Sequence, residues 1–348
     1  MIPKNKLDEI KDFLINSQNP LFFFDEDPDG LCSYILLKKL TERGKGVIIK
    51  GKPILESMYL RKVKEYSPDF IFVLDKPMIE QDFLDGVSVP LIWLDHHPLQ
   101  ENKGARYYNP LQYQKDDIRP TSFWAYEITK TSLMFAVIGC VSDYYIPPYT
   151  KEFSDLYPDV LPKKLSKPDE ILYTSRLGEL IKIIAFSLKG NTSDVAKLIN
   201  ILFKIEDPYE ILDGTTPRGK FVLRHAQKIL KEYNSIKESA VETFKEQKEN
   251  VLVYVYSNKK NSLTKELSSE LRYIFGDKIV ILGRQKDDEI KLSIRSSTIP
   301  VNVLVKKALE GVSGYGGGHP YACGANVQSS DFKKFVEQFK TALKTQNL

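Results

Sequence analysis

Four stretches of this chain end an apolar run in aspartate. Asp25, Asp27 and Asp29 follow Leu21-Phe22-Phe23-Phe24 as DEDPDG. Asp75 ends the run at 70–74 as FVLDKP, Asp95, His96 and His97 end the run at 89–94 as WLDHHP, and Asp143 ends VIGCVSD. A single aspartate in such a place ordinarily caps a turn or a helix. Four such sites at the same end of buried strands call for more than capping. Carboxylates brought together repel one another unless cations neutralise them. Oxygen donors joined by one or two imidazoles suit Mn²⁺ or Mg²⁺ better than Zn²⁺. Two such cations, about 3.5–4 Å apart and bridged by one carboxylate, form a clamp for phosphoryl chemistry. They lower the pKa of a bound water and neutralise charge that builds on the phosphate oxygens.

The elements that must position these acids follow from periodicity. Short continuous apolar runs at 21–24, 47–49, 70–74 and 89–94 suit strands buried on both faces. Helical patterns at 3–16, 31–43, 54–65 and 121–133 surround them. Strands alternating with helices predict an α/β fold with a doubly wound, mostly parallel sheet. Ligands bind at the carboxyl ends of the strands in such sheets, so acids scattered from Asp25 to Asp143 converge on one edge. Residues 155–248 read as helical, with 216–248 as one long charged helix whose interleaved Glu, Lys and Arg make a solvated face. Strands return at 251–256, 278–283 and 290–295 among helical patterns at 262–275, 300–310 and 330–346, a smaller α/β domain. The expected division is a catalytic domain at 1–190, a helical connector at 191–248 and a C-terminal substrate-binding domain at 249–348.

Composition sets limits on function. The 348 residues are 42% hydrophobic and 28% charged with a net charge of +4, which fits a globular protein and is compatible with a polyanionic substrate. Cys32, Cys140 and Cys323 are far apart, so neither a thiolate zinc site nor a disulfide framework is expected. No apolar run approaches the roughly 20 residues that span a bilayer, and 1–19 lacks a leader-like core. A cytoplasmic location and no membrane partner are expected.

The set of motifs resembles the DHH phosphoesterase superfamily. DEDPDG is similar to its first motif in the RecJ-like form, Asp75 to the second, Asp95-His96-His97 to the third and Asp143 to the fourth. Far downstream, GYGGGHPYACGA with Gly316, Gly317, Gly318 and His319 resembles the signature of the DHH-associated C-terminal domain, and Arg295-Ser296 in LSIRSS resembles its other substrate-binding element. The resemblance covers residues 20–327. It implies that Asp27 and Asp75, helped by Asp25, hold one metal, while Asp29, Asp75, His96 and Asp143 hold the other. His97, with Asp95 beside it, takes the catalytic position facing the scissile phosphate. Arg295, Ser296, His319 and the three glycines bind substrate phosphate. Two features depart from the family: the first motif carries no histidine, which points away from the pyrophosphatase branch, and Lys76 follows Asp75, where it is expected to be solvated.

The resemblance implies a Mn²⁺-dependent exonuclease on single-stranded DNA or RNA, with Mg²⁺ or Co²⁺ as alternative ions. A cleft between two domains would admit one strand and exclude a duplex. The chain lacks the length for the extra domains of large RecJ enzymes, and the compact archaeal RecJ-like form implies 3′→5′ polarity. Two alternatives stand beside it: a phosphodiesterase of short oligonucleotides or cyclic dinucleotides, and a replication-associated scaffold, against which the intact acids and histidines argue. Replication or helicase proteins are the partners such relatives suggest. Tyr144, Tyr145, Tyr315 and Tyr321 are candidates for base stacking, and His225 reads as a helix-packing residue.

Overall fold

The computed structural model describes residues 1–257 and 262–346, so 258–261 and 347–348 of the expected C-terminal domain lie outside the described residues. The chain divides into two compact units, Met1–Gln227 and Lys228–Leu348.

The first unit opens with α1 (Lys4–Asn16), β1 (Pro20–Asp25), α2 (Pro28–Thr41), β2 (Lys45–Ile49), β3 (Ile54–Leu55), α3 (Leu60–Tyr66), β4 (Phe70–Leu74) and β5 (Met78–Ile79). It continues through α4 (Gln81–Asp85), β6 (Leu91–Leu94), β7 (Ala105–Tyr108), α5 (Thr121–Thr129) and α6 (Leu133–Ser142). A run of helices closes it: α7 (Thr150–Leu156), α8 (Pro168–Thr174), α9 (Arg176–Ser187), α10 (Thr192–Leu202), α11 (Pro208–Leu212) and the start of α12 (Pro217–Glu246). Five strands form one wholly parallel sheet in the order β2-β1-β4-β6-β7. A separate two-stranded parallel ladder joins β3 to β5.

The phenylalanine run explains why both faces of this sheet are covered. Successive side chains of a strand point to opposite faces. Leu21 and Phe23 pack with Ile71, Val73, Phe83 and Trp93 in one apolar cluster. Phe22 and Phe24 meet the Tyr34 ring of α2 at centroid distances of 5.4 and 4.7 Å, and Phe22 stacks on Phe72 at 5.2 Å. The doubly wound parallel sheet is as expected. The 54–65 pattern is α-helical only from Leu60, after a 3-10 turn at Ser57–Tyr59, because Ile54-Leu55 pairs with Met78-Ile79 first.

The second unit contains β8 (Val251–Ser257), α13 (Thr264–Phe275), β9 (Ile279–Lys286), β10 (Glu289–Arg295), α14 (Asn302–Ala308), β11 (Gly314–His319), β12 (Ala322–Gln328) and α15 (Phe332–Gln346). Its sheet runs β11-β12-β10-β9-β8, parallel only between β8 and β9. Ile290, Leu292 and Ile294 of β10 and Cys323, Ala325 and Val327 of β12 share a core with Leu304 and Val305 of α14 and Phe335 and Phe339 of α15. The alternate residues present three rows on the opposite face: Arg295, Ala322 and His319; Ser293, Gly324 and Gly317; Lys291, Asn326 and Tyr315. Sequence periodicity indicates no strand at β11 or β12, since glycine-rich stretches carry little strand propensity. Among the described residues, no helix is long and apolar enough to cross a membrane.

Candidate functional site

The strand ends do gather acids. Asp25 is the last residue of β1, and Asp27 is the N-cap of α2, its carboxylate accepting the Gly30 N–H at 3.1 Å. Pro28 fits the first helical turn, where a missing N–H costs nothing. Gly30 is required on packing grounds: a Cβ there would stand 2.8 Å from the backbone N and O of Asp25. Much of the DEDPDG pattern is thus the geometry of one tight strand-to-helix turn.

Asp29 is buried, and its two oxygens accept the N–H groups of Thr121 and Ser122 at 2.9 Å each. These are the first residues of α5, whose N-cap residue, Pro120, offers no side-chain cap. Asp29 therefore caps a helix 92 residues away in sequence. Burial raises its pKa to about 7, with His96 opposing and Asp143 and Asp27 adding to the rise.

Asp75 is the common member of two groups. Donor atoms of Asp25, Asp27 and Asp75 lie within 4.8 Å of one another, and so do those of Asp75, His96 and His97. His96 Nε2 is 3.4 Å from Asp75 Oδ1 and 3.6 Å from Asp143 Oδ2. Asp75 adopts a left-handed φ of 58°, its N–H donating to the Leu94 carbonyl at 3.0 Å. Aspartate tolerates that conformation better than most residues, and here it turns the chain sharply at the end of β4. Burial, together with Asp29, Asp27 and Asp25, pushes its carboxyl far above the ordinary range. Thr121 donates its hydroxyl to Asp75 Oδ1 at 3.3 Å, a contact no motif announced.

Asp95 stands apart from both groups. Its Oδ1 is 2.8 Å from His97 Nδ1, and its Oδ2 accepts the His97 backbone N–H at 3.0 Å. Burial opposes a charge on His97, yet the Asp95 hydrogen bond and charge, and to a smaller extent the charges of Asp143 and Asp27, raise its pKa. Buried Asn109 holds this corner, donating to the His97 carbonyl at 2.8 Å and to Asp95 Oδ2 at 3.4 Å. Asn109 and Thr121 lay beyond sequence reasoning because neither sits in a motif.

Two expectations need correction. Asp143 ends a helix, not a strand: it is the C-cap of α6, whose run LMFAVIGCVS is buried nearly all round. A short apolar run reads the same whether it is a buried strand or a buried helix. Lys76 is fully buried rather than solvated, with Nζ 2.9 Å from Asp25 Oδ1.

In the second unit, Arg295 and His319 lie in one row across Ala322. The Arg295 guanidinium donates to the Ile294 and Cys323 carbonyls at 3.0 and 3.2 Å. Ser296 is buried, its hydroxyl accepting the N–H groups of Thr298 and Ile299 at 3.4 and 3.0 Å. The glycines divide by role. A Cβ on Gly316 would meet Ala325 Cβ at 2.7 Å, and one on Gly318, at φ 146°, would meet the Ala322 carbonyl at 2.5 Å. A Cβ on Gly317 would meet nothing within 4 Å among the described residues, which leaves the exposed face of β11 bare beside His319. Tyr315 and Tyr321 are exposed large aromatics. Tyr145 instead packs edge-on against Phe123, and His225 contacts the Lys189 carbonyl at 3.3 Å, as a packing residue does.

The donor set of the first unit fits divalent cations. It offers carboxylate oxygens and imidazole nitrogens without thiolate, and its acids are held protonation-prone by burial and by each other. Bound cations would remove that cost.

Residues 248–345 match the family model of the DHHA1 domain. No curated protein matches the sequence. Among solved structures, the chain is similar to RecJ of Thermus thermophilus in complex with Mn²⁺, with a TM-score of 0.69 at 15% identity over 98% of this chain and 55% of that one. The same Thermus protein in complex with Mg²⁺ gives 0.62 at 14% over 98% and 53%. An exonuclease RecJ bound to manganese gives 0.61 at 15% over 97% and 94%. A pGpG-specific phosphodiesterase, PggH of Vibrio cholerae, gives 0.52 at 15% over 94% and 98%. The chain thus spans about half the length of the Thermus protein. At these identities the likeness establishes the fold.

Proposed function

We propose that this chain, RecJ-like in fold and ending in a DHHA1 domain, is a metal-dependent phosphoesterase that degrades single-stranded nucleic acid from an end. The observation that supports it most is Asp75, one buried carboxylate common to two clusters of metal-capable side chains. A bridging ligand is what a pair of cations requires. In this reading Asp27 and Asp75, with Asp25, serve one cation, and Asp29, Asp75, His96 and Asp143 serve the other. Mn²⁺ is the favoured ion, in keeping with the manganese-bound RecJ structures; the magnesium complex leaves Mg²⁺ as the alternative. When bound, such cations polarise the phosphate and lower the pKa of the attacking water.

The chain's own residues do the rest. Asp29 fixes the start of α5, and so brings Thr121 to Asp75. Asp95 takes Nδ1 of His97, leaving Nε2 to hydrogen-bond a phosphate oxygen or protonate a leaving group. Arg295, Ser296, His319 and the Gly316–Gly318 strand are assigned to substrate phosphate, with Gly317 as the point of close backbone approach. Residues 1–190 are taken as the catalytic domain, 191–248 as the connector and 249–348 as the substrate-binding domain. We assign the polarity as 3′→5′ and the site of action as the cytoplasm.

A second reading, a phosphodiesterase of two- to five-residue oligonucleotides, is favoured by the likeness to PggH over 98% of that chain. One gel separates the two. The protein is incubated with Mn²⁺ and with 5′- or 3′-labelled DNA and RNA strands. Progressive shortening of long strands supports the exonuclease; cleavage of two- to five-mers alone supports the second reading; no cleavage of either removes both.

A further inference from the structure

Lys76 is the one feature of the acidic cluster that neither the motifs nor the proposed chemistry uses. Its side chain is 0% exposed. Lysine is almost never fully buried without a partner. Here Nζ donates to Asp25 Oδ1 at 2.9 Å and to the Lys52 carbonyl at 2.7 Å, and Asp25 is its acid partner among the described residues. The backbone that delivers it is pinned: Asp75 makes a left-handed turn, and Trp93 Nε1 donates to the Lys76 carbonyl at 2.8 Å. A buried ion pair is a poor source of stability, since an apolar pair of similar volume often serves as well. Its position is more informative. Asp25 is a member of one metal-capable group, with Asp27 and Asp75, and absent from the other, with Asp75, His96 and His97.

We propose that Lys76 is a built-in protein cation that takes Asp25 for itself and makes the cation site at Asp25–Asp27–Asp75 the weaker of two. The inference rests on the metal-centre reading and goes beyond it. An ammonium in hydrogen-bond contact with one acid of the set repels a dication arriving on that set, in surroundings where charges are poorly screened. It also occupies one of the two oxygens through which Asp25 could serve a metal. Asp25 then acts as a positioning residue, and Asp27 and Asp75 do the holding. Lys76 donates to Asp25, which belongs to the first group alone, so the pair fills in order, the site next to His96 and Asp143 first.

The test is a Mn²⁺ titration of the metal-stripped full chain, read by electron paramagnetic resonance of free Mn²⁺. The wild type is expected to take up two ions with dissociation constants separated by about tenfold or more. Lys76→Met, which removes the charge and keeps the bulk, is expected to tighten the weaker site by about tenfold and leave the tighter one within about threefold. An unchanged or weakened second site in that variant would overturn the proposal. The double variant Asp25→Asn with Lys76→Met removes the pair together and guards against a variant that does not fold. Its weaker site should stay within about threefold of wild type, because an ammonium and a carboxylate leave together and the net charge facing the dication is the same. A loss of about tenfold or more there would show Asp25 to be a ligand and overturn the proposal as well. Uptake of no Mn²⁺ by the wild type is a different failure, and it overturns the metal-centre reading itself.

Discussion

Nδ1 of His97 stands 2.8 Å from Oδ1 of Asp95, and the other oxygen of the same carboxylate accepts the His97 backbone N–H at 3.0 Å. One acid thus fixes both the ring and the peptide of the residue that follows it by two. Asp95 is fully buried, so this pairing is held in poorly screened surroundings. The middle residue, His96, is left to face Asp75 and Asp143. Within the triplet Asp95 thus holds His97, and both imidazoles share a metal-capable group with Asp75.

Asp95→Asn should separate orientation from metal binding. The amide keeps the shape but no longer favours an imidazolium at His97. Partners that orient a histidine of this kind are worth about 10–100-fold. The rate constant on a labelled oligonucleotide is expected to fall by about that factor while Mn²⁺ uptake and the Michaelis constant hold. Loss of Mn²⁺ uptake instead would place Asp95 among the ligands.

Asp75→Ala should abolish activity, since one carboxylate is common to both metal-capable groups. The expected loss in rate is about 10³-fold or more, with fewer Mn²⁺ ions bound per chain. The metal-free variant should be no less stable than the metal-free wild type, because a carboxylate crowded by burial and by Asp29, Asp27 and Asp25 has been removed. Thermal melts with and without Mn²⁺ check both statements. Full activity in Asp75→Ala would end the two-metal assignment.

Sequence reading reached the sheet and the acids because both leave strong local signals. A run such as Leu21–Phe24, apolar at every position, short, preceded by Asn19-Pro20 and followed by acids, fits a strand buried on two faces. It failed where a signal is shared or absent. The run before Asp143 is apolar enough to be either strand or helix, and only tertiary packing made it α6. Lys76 could not be read as buried, because its reason for burial is Asp25, 51 residues earlier. Thr121 and Asn109 belong to no motif, and their roles follow from Asp29, which accepts the Thr121 N–H, and from Asp95, which accepts the Asn109 side-chain amide. In β11, the glycines that resembled a phosphate signature turn out to serve two ends. Gly316 and Gly318 let the strand lie close to β12, and Gly317 alone of the three faces open space.

Acid stability should report on Glu210, far from the acidic cluster in sequence. Its oxygens accept the Glu206 N–H at 3.0 Å, the Thr216 hydroxyl at 2.7 Å and the Arg218 guanidinium, in one contact at 2.9 Å. The Arg218 hydrogen bond is the main cause that lowers its pKa from 4.5 to about 2, against burial. A folded-state pKa below the unfolded one contributes stability above about pH 4.5, and that stability fades as pH falls towards about 2. Arg218 is 40% exposed, so solvent screening reduces the full linkage value to about 2 kcal/mol. Arg218→Leu should therefore lower the urea midpoint at pH 7, and its gap to wild type should close between about pH 5 and 3. A gap that is constant across that range would assign the loss to packing of the arginine stem.

His319→Ala should weaken substrate engagement while sparing the metal. His319 ends the exposed strand β11 and shares a row with Arg295 across Ala322, which puts an imidazole and a guanidinium in line on one face of the sheet. The imidazole is exposed, so its removal leaves no cavity and the melting temperature should move by less than about 2 °C. The Michaelis constant for a labelled strand is expected to rise by about tenfold, with Mn²⁺ uptake unchanged. Gly317→Ala offers the matching test of the backbone: the site has room for a methyl group within the fold, so a folded variant with weakened substrate binding means that the methyl meets substrate. Were both variants to bind and cleave as the wild type does, the second unit would have no part in holding the strand.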